Sequence, residues 1–290
     1  MARLFCAGFL EAQMTLHQQI IHVNGVDINV ASAGEGRPVV LLHGFPDTHN
    51  VWRKQFDPLV EAGYRVIAPD MRGYGASAAP IGVKAYSGRK LCADVIGVLD
   101  AMQVERAYLV AHDWGAVIGW QLCMHAPARV ERFAALSVGH PTAWAQAGLS
   151  QRLKACYMVL FQVPGFAEFL LRAGNLMALK RFAADAEQVA DWRANFAGEG
   201  RLTAALNYYR ASKKMGAARV YPNVRMPVMG IWSEGDPALT ESQMRDSVRH
   251  VSGPFRYERL SGEVGHWMQL SEAAQVNQRL LEFGATRFGS

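Results

Sequence analysis

No uninterrupted apolar run in the 290 residues approaches the roughly 18 needed to cross a bilayer, so no transmembrane helix is expected. Cysteine is scarce as well. Cys6, Cys92, Cys123 and Cys156 are widely spaced, without a CxxC pair or a dense pattern, which argues against a disulfide framework. Free thiols suit a reducing compartment, and the cytoplasm is the expected location. Internal repeats and low-complexity linkers are also missing. With half the residues hydrophobic and 19% charged, the chain has the balance of a folded globular protein rather than a disordered one.

Net charge is +5, but it is unevenly placed. Residues 138–222 hold eleven Lys/Arg against five Asp/Glu, or +6, leaving −1 elsewhere. Apart from Lys213 and Lys214 these charges are scattered, which fits a solvated helical surface better than a nucleic-acid or anionic-membrane site. The opening "MARLFCAGFLEAQ" (1–13) has a short apolar run broken by Glu11. It reads as a loosely ordered leader, with Met14 an equally good start for the fold.

Short apolar runs recur with helix-like segments between them: "VVLLHG" (39–44), "RVIAPD" (65–70), "AYLVAHD" (107–113), "FAALSVG" (133–139) and "PVMGIW" (227–232). Buried strands alternating with helices predict an α/β protein with a mostly parallel central sheet. Between strands, "YSGRKLCADVIGVLDAM" (86–102) places Leu91, Val95, Val98 and Leu99 on one helical face, and 273–284 reads as a closing helix. The rhythm stops after Gly139 and resumes near residue 223. Neither half alone has enough strands for a doubly wound sheet, so 14–138 and 223–290 are expected to form one core, with 139–222 inserted as a helical cap.

The chemistry-bearing stretch is "AHDWG" (111–115), where a strand runs into Asp113 and a helix begins near Trp114. Alone, it fits an aspartate capping a helix. It also has the construction of a nucleophile elbow, G-x-S-x-G, with Ala111 replacing the first glycine and Asp113 the serine. Other stretches favour the elbow. "HGFP" (43–46) follows the first strong strand, where such a fold needs a loop whose backbone N–H joins the one after the nucleophile; Phe45 and Trp114 N–H are the expected oxyanion pair. "DMRGYGAS" (70–77) is a glycine-rich turn without the spacing of a phosphate loop. "SEGDPAL" (233–239) and "GHWMQL" (265–270) supply an acid and a histidine in the order nucleophile, acid, base.

This constellation resembles the α/β-hydrolase superfamily, in the aspartate-nucleophile branch containing epoxide hydrolases and haloalkane dehalogenases. The resemblance extends over nearly the whole chain from about Leu16. It implies an α/β-hydrolase fold and favours Asp236 over Glu234 as the acid beside His266. His43, His112, His125 and His140 are expected to be structural. "YMVLFQVPG" (157–165) and "LNYYRA" (206–211) are similar to the cap segments in which epoxide hydrolases carry ring-opening tyrosines, and point to Tyr157 and Tyr209 rather than Tyr208.

Serine attacking an sp3 carbon would leave an ether, whereas aspartate leaves an ester that water can cleave. Aspartate, of ordinary pKa about 3.9, is already ionised for the attack. His266, oriented by Asp236, is then available to activate water. The expected function is therefore an epoxide hydrolase releasing a vicinal diol, its partners a small apolar epoxide and water. The substrate surface is expected at Phe45, Trp114, Phe161 and Trp267, with Trp144, Phe166 and Leu170 adding apolar cap area. No metal cluster or cofactor loop is visible and none is required.

Two alternatives are a dehalogenase with the same nucleophile and a non-catalytic receptor on the same fold. Phe45 stands where many haloalkane dehalogenases place a halide-binding asparagine, and fluoroacetate-type enzymes lack the paired tyrosines. Association as a homodimer is left open by the sequence.

Overall fold

The computed structural model describes residues 16–173, 176–212, 221–262 and 264–288; the leader at 1–13, with Cys6, lies outside them. Its strands are β1 (His17–Val23), β2 (Val26–Ala33), β3 (Arg37–Leu42), β4 (Tyr64–Pro69), β5 (Ala107–His112), β6 (Val130–Leu136), β7 (Val228–Ser233) and β8 (Phe255–Leu260). They form one sheet in the order β1-β2-β4-β3-β5-β6-β7-β8. From β4 to β8 neighbours are parallel, while β1–β2 and β2–β4 are antiparallel.

The five strands read from apolar runs are the central ones. Every residue of β5 and β7 is buried, as helices on both faces of a parallel sheet require. The strands not expected from sequence are β1, β2 and β8. β1 is an exposed edge with polar residues, and β8, "FRYERL", carries three charges. β1 and β2 are joined at Asn24-Gly25, both with positive φ (50° and 72°), a turn that suits the twist of an antiparallel hairpin.

In the first half of the chain α1 (Phe56–Glu61), α2 (Gly88–Ala101) and α3 (Trp114–His125) connect the strands. α2 buries Leu91, Val95, Val98 and Leu99, the expected face, and α3 is apolar on nearly all sides because it lies under the sheet. Gly119 on α3 lets the helix close on Phe133 of β6; an added Cβ there would stand 2.6 Å from the ring.

Between β6 and β7 the chain leaves the sheet for α4 (Pro141–Gln146), α5 (Gly148–Lys154), α6 (Tyr157–Leu160), α7 (Phe166–Ala173), α8 (Met177–Lys180), α9 (Ala186–Ala197) and α10 (Arg201–Ala211). Polar contacts fasten α9 to the core. Arg53 holds Asp185, its N-cap residue, at 2.6 Å, and Asn195 donates to Pro46 O at 3.1 Å. Tyr208 of α10 donates to Arg72 O at 2.8 Å, while Arg210 grips Glu168 of α7 through both guanidinium ends. The chain ends with α11 (Glu241–Arg245), α12 (Met268–Ser271) and α13 (Ala273–Ala285), the last burying Val276, Leu280 and Phe283. Among the described residues no helix is long and apolar enough to cross a membrane.

The parallel strands all end on one edge of the sheet, and the loops leaving β3, β5 and β7 there carry Phe45, Asp113 and Asp236. That edge is where open parallel sheets hold ligands.

Candidate active site

Asp113 sits between β5 and α3 with φ 51° and ψ −121°, a conformation that L side chains rarely adopt. Its side chain makes no capping bond to its own helix, as it would if it were an ordinary N-cap. Small neighbours permit this bend. A Cβ on Gly115 would lie 2.2 Å from Leu42 O, and one on Gly44 would lie 2.3 Å from Asp113 Oδ1. The carboxylate therefore leaves the helix axis and points across the sheet edge, the geometry of a nucleophile elbow.

His266 stands beside it. Its Nδ1 is 2.8 Å from Asp236 Oδ2 and its Nε2 is 3.6 Å from Asp113 Oδ2, so the imidazole links two carboxylates. Asp236 is almost wholly buried, and its other oxygen accepts the backbone N–H of Ala238 and Leu239 at 2.8 and 3.0 Å. Burial opposes charge on all three groups. The ion pairing outweighs it: His266 is raised to about 10, while both carboxyls are held below their ordinary range. Glu234, the alternative acid, instead faces outward to Arg259 at 2.8 Å.

The loop that follows β3 closes on Asp113. Phe45 N–H donates to its Oδ1 at 2.8 Å, and the adjacent Trp114 N–H helps hold the carboxyl below its ordinary range. Oδ1 is thus held by the Phe45 N–H. Oδ2 faces His266.

A cavity of about 360 Å³ opens over Asp113. Trp114, Val138, Trp144, Met158 and Leu239 give it apolar walls, and Tyr157 and Tyr209 reach it from the insertion. The two tyrosine rings are 6.2 Å apart, and Tyr209 packs edge-on against Trp114 at 4.9 Å. Burial pushes both phenols well above their ordinary range, and the Asp113 charge adds to the shift, so both remain O–H donors at neutral pH.

A family model described as alpha/beta hydrolase fold matches residues 37–273. The chain belongs to the α/β-hydrolase family. It is 34% identical to AB hydrolase superfamily protein YfhM of Bacillus subtilis, over 91% of this chain and 96% of that one. It is 32% identical to Epoxide hydrolase A of Mycobacterium tuberculosis, over 92% of this chain and 96% of that one. Among solved structures it is similar to Epoxide Hydrolase A from Mycobacterium thermoresistibile, with 29% identity, a TM-score of 0.80, and coverage of 93% and 98% of the two chains. Its relatives put this α/β-hydrolase in the epoxide hydrolase branch.

Around the family's sheet edge, several expected site residues turn out to stand behind the cavity wall. Phe45 and Phe161 are buried against Tyr209, with ring centroids 5.6 and 5.0 Å from it, and neither lines the cavity. Both support the tyrosine instead of presenting their faces to a ligand. Trp267, expected at the substrate surface, packs edge-on to His266 and turns its indole N–H to Asp47 at 2.6 Å. Phe166 and Leu170 lie on the outer surface, 50% and 41% exposed, and only Trp144 of the additional cap residues reaches the cavity.

Asp47 is the residue that sequence reasoning passed over. It is buried one position beyond "HGFP" and accepts Gln188 Nε2 at 2.9 Å and Trp192 Nε1 at 2.7 Å, besides Trp267. One carboxylate thereby ties α9 to the loop after β3 and to the residue after His266. Burial raises it to about 6 against the pull of these three donors.

Among the other histidines, His43 accepts Met71 N–H at 2.9 Å, His140 accepts Thr142 N–H at 3.2 Å, and His112 Nε2 donates to His266 O at 3.0 Å. Burial lowers His112 to about 3, which keeps it neutral beneath His266. Among the described residues no three His, Cys, Asp or Glu are grouped to hold a metal ion.

Proposed function

We propose that this protein is an epoxide hydrolase that forms a vicinal diol through an ester on Asp113. The observation that carries the reading is the opposition, across one cavity, of an elbow carboxylate and two protonated phenols. A halide leaves as a weak base and needs no acid. An oxirane oxygen leaves as an alkoxide and does.

In the first step Oδ2 of Asp113 forms a bond to a ring carbon as that carbon's bond to the oxirane oxygen breaks. Tyr157 and Tyr209 hold the oxygen, and one supplies the proton that makes it a hydroxyl. In the second step His266 takes a proton from water, whose oxygen adds to the ester carbonyl. Charge collects on Oδ1, which Phe45 N–H already holds, with Trp114 N–H as the second donor in this reading; one such donor is typically worth roughly 3 kcal/mol. The acyl–oxygen bond then breaks, the leaving alkoxide takes the proton back from His266 so that the original Oδ2 departs as a hydroxyl of the diol, and the water oxygen stays on Asp113, which releases its own proton to solvent. The phenol regains its proton from solvent.

The role of His266 depends on charge. At rest it is an imidazolium held by two carboxylates. Esterification removes the charge on Asp113, one of the groups that raise its pKa, so the imidazolium gives its proton up to solvent and the neutral ring becomes the base that takes the proton from water. Residues 139–222 act in this reading as a cap whose tyrosines complete the site, with 14–138 and 223–290 as the hydrolase core.

The deciding measurement is a parallel assay on aromatic and aliphatic epoxides, haloalkanes, fluoroacetate and a p-nitrophenyl ester. Diol from an epoxide without halide from the others is the expected result. Halide release without diol would move the protein to the dehalogenases, and turnover of none would favour a receptor. Repeated turnover in heavy-oxygen water should label Asp113, whereas a first turnover should leave the diol unlabelled; the reverse pattern would eliminate the ester.

A further inference from the structure

The inserted helices turn large apolar side chains outward. Among the described residues, eight of the thirteen large hydrophobic side chains that stand exposed lie between Leu149 and Phe182, a concentration that singly scattered surface residues do not produce. α7 reverses the usual arrangement of a surface helix: Phe166, Phe169 and Leu170 face solvent, while Ala167 and Leu171 face the protein. Spacings of three and four put the outward three on one stripe. α5 does the same with Leu149 and Leu153, 70% and 64% exposed, and the exposed Val159 and Val163 continue the pattern through α6 and the turn after it.

Charge on this stretch has one sign. Residues 141–184 contain five Lys/Arg and one acid, Glu168, which Arg210 holds at 2.8 and 2.9 Å. The next acids along the chain, Asp185 and Glu187, are both held by Arg53, at 2.6 and 3.0 Å. Arg152 on α5, Arg172 on α7 and Arg181 at the end of α8 are exposed. Cations that look scattered along the sequence therefore stand among exposed apolar side chains rather than on a plain solvated surface. That combination suits a face lying in a lipid headgroup layer.

We propose that the exposed side of α5, α6 and α7 docks on anionic lipid bilayers, with the phenylalanines and leucines at the acyl boundary and the arginines on the lipid phosphates. Guanidinium suits that partner because its paired N–H groups match phosphate oxygens. A second copy of this chain fits less well: a two-fold interface would set one group of arginines against another, with Glu168 already paired within each copy. Arg152 and Val159 also line the cavity over Asp113, so docking sets the cavity mouth at the membrane surface. The inference concerns where the protein sits, and it stands or falls separately from the reaction assigned to Asp113.

The test is co-sedimentation of the full chain with phosphatidylcholine vesicles made with and without phosphatidylglycerol. At low ionic strength the protein is expected on the anionic vesicles and hardly on the neutral ones, and salt should weaken the binding. Arg172→Gln and Arg181→Gln should each lower the partition coefficient about 5-fold. Leu153→Ser combined with Phe169→Ser should lower it about tenfold or more. Val248→Ser, at an exposed apolar residue outside the insertion, should leave it unchanged. All of these side chains are exposed, so the melting temperature should stay native. Absence of binding, binding indifferent to phosphatidylglycerol, or binding that survives the Leu153 and Phe169 substitutions overturns the inference. So does a dimer in lipid-free sedimentation that those two substitutions dissociate, since a second copy would then cover the face.

Discussion

The imidazole Nε2 of His266 stands 3.6 Å from Oδ2 of Asp113, close enough for charge pairing and too far for a good hydrogen bond. The proton of His266 is therefore held partly by a carboxylate whose charge the proposed reaction removes. Asp113→Asn imitates the neutral ester. In that variant the His266 pKa, followed by NMR of the imidazole, is expected well below the value of about 10 in the native protein. The same shift has a stability consequence. Because the folded pKa lies above the ordinary 6.5, protonation of His266 stabilises the fold fully below pH 6.5, and that contribution fades as pH rises through about 10. Urea unfolding across this window should show a shallower loss in Asp113→Asn than in the native protein. An unchanged titration would mean that Asp236 alone sets the pKa.

His266→Gln separates the two proposed steps. Asp113 keeps its backbone donors and can still open the ring, while water loses its base. Intact-protein mass spectrometry should then show the protein plus one substrate mass, with steady-state turnover reduced about a hundredfold or more. A variant that turns over at the native rate would remove His266 from the mechanism.

The tyrosine pair and its neighbour should part company. Tyr157→Phe and Tyr209→Phe should each slow ring opening, and the double substitution should abolish it, with the melting temperature little changed. Tyr208 spends its hydroxyl on Arg72 O at 2.8 Å. Tyr208→Phe should therefore cost about 1 kcal/mol of stability and leave ring opening close to native. Stopped-flow measurement of the first turnover alongside thermal unfolding distinguishes these outcomes, and retained activity in the double variant would refute the assignment.

Asp47→Asn tests the tie between cap and core. An amide keeps one acceptor oxygen, but its NH2 must confront either Trp267 or the Gln188–Trp192 pair. Leaving such a buried donor unmet costs about 1–3 kcal/mol, and kcat should fall as the loop of Phe45 loosens. The pH dependence has a definite sign. A carboxyl raised from 3.8 to about 6 favours its neutral form in the fold, so its contribution is greatest below pH 3.8 and declines as pH rises through 6. Over that range the native protein should lose stability relative to Asp47→Asn.

The central fold was readable in the sequence because β3 to β7 are buried parallel strands that must be apolar throughout. β1 and β8 were not, since a polar, exposed edge strand and a charged "RYER" break that pattern. At the site, "HDWG", "GD" and "GHW" carry their chemistry in local motifs. Asp47 does not: its partners Gln188, Trp192 and Trp267 lie more than a hundred residues away, and no local pattern records a hub of that kind. Trp267 was misplaced for the same reason, since an indole beside a histidine reads as a ligand surface until its N–H partner is known. Cap helices of four to eight residues, such as α5, α6 and α7, are too short to display a periodic face.

Gly44 donates no hydrogen bond to Asp113 and appears in no step, yet a methyl group there would stand 2.3 Å from Oδ1 and 2.4 Å from Cβ of the same aspartate. Accommodating it means moving either the carboxyl or the loop, and in both cases Oδ1 parts from Phe45 N–H. A related protein with alanine at this position could keep its aspartate, acid and histidine intact and still be a pseudoenzyme. Whether a sequence of this kind is a live enzyme is written partly in a residue that has no side chain.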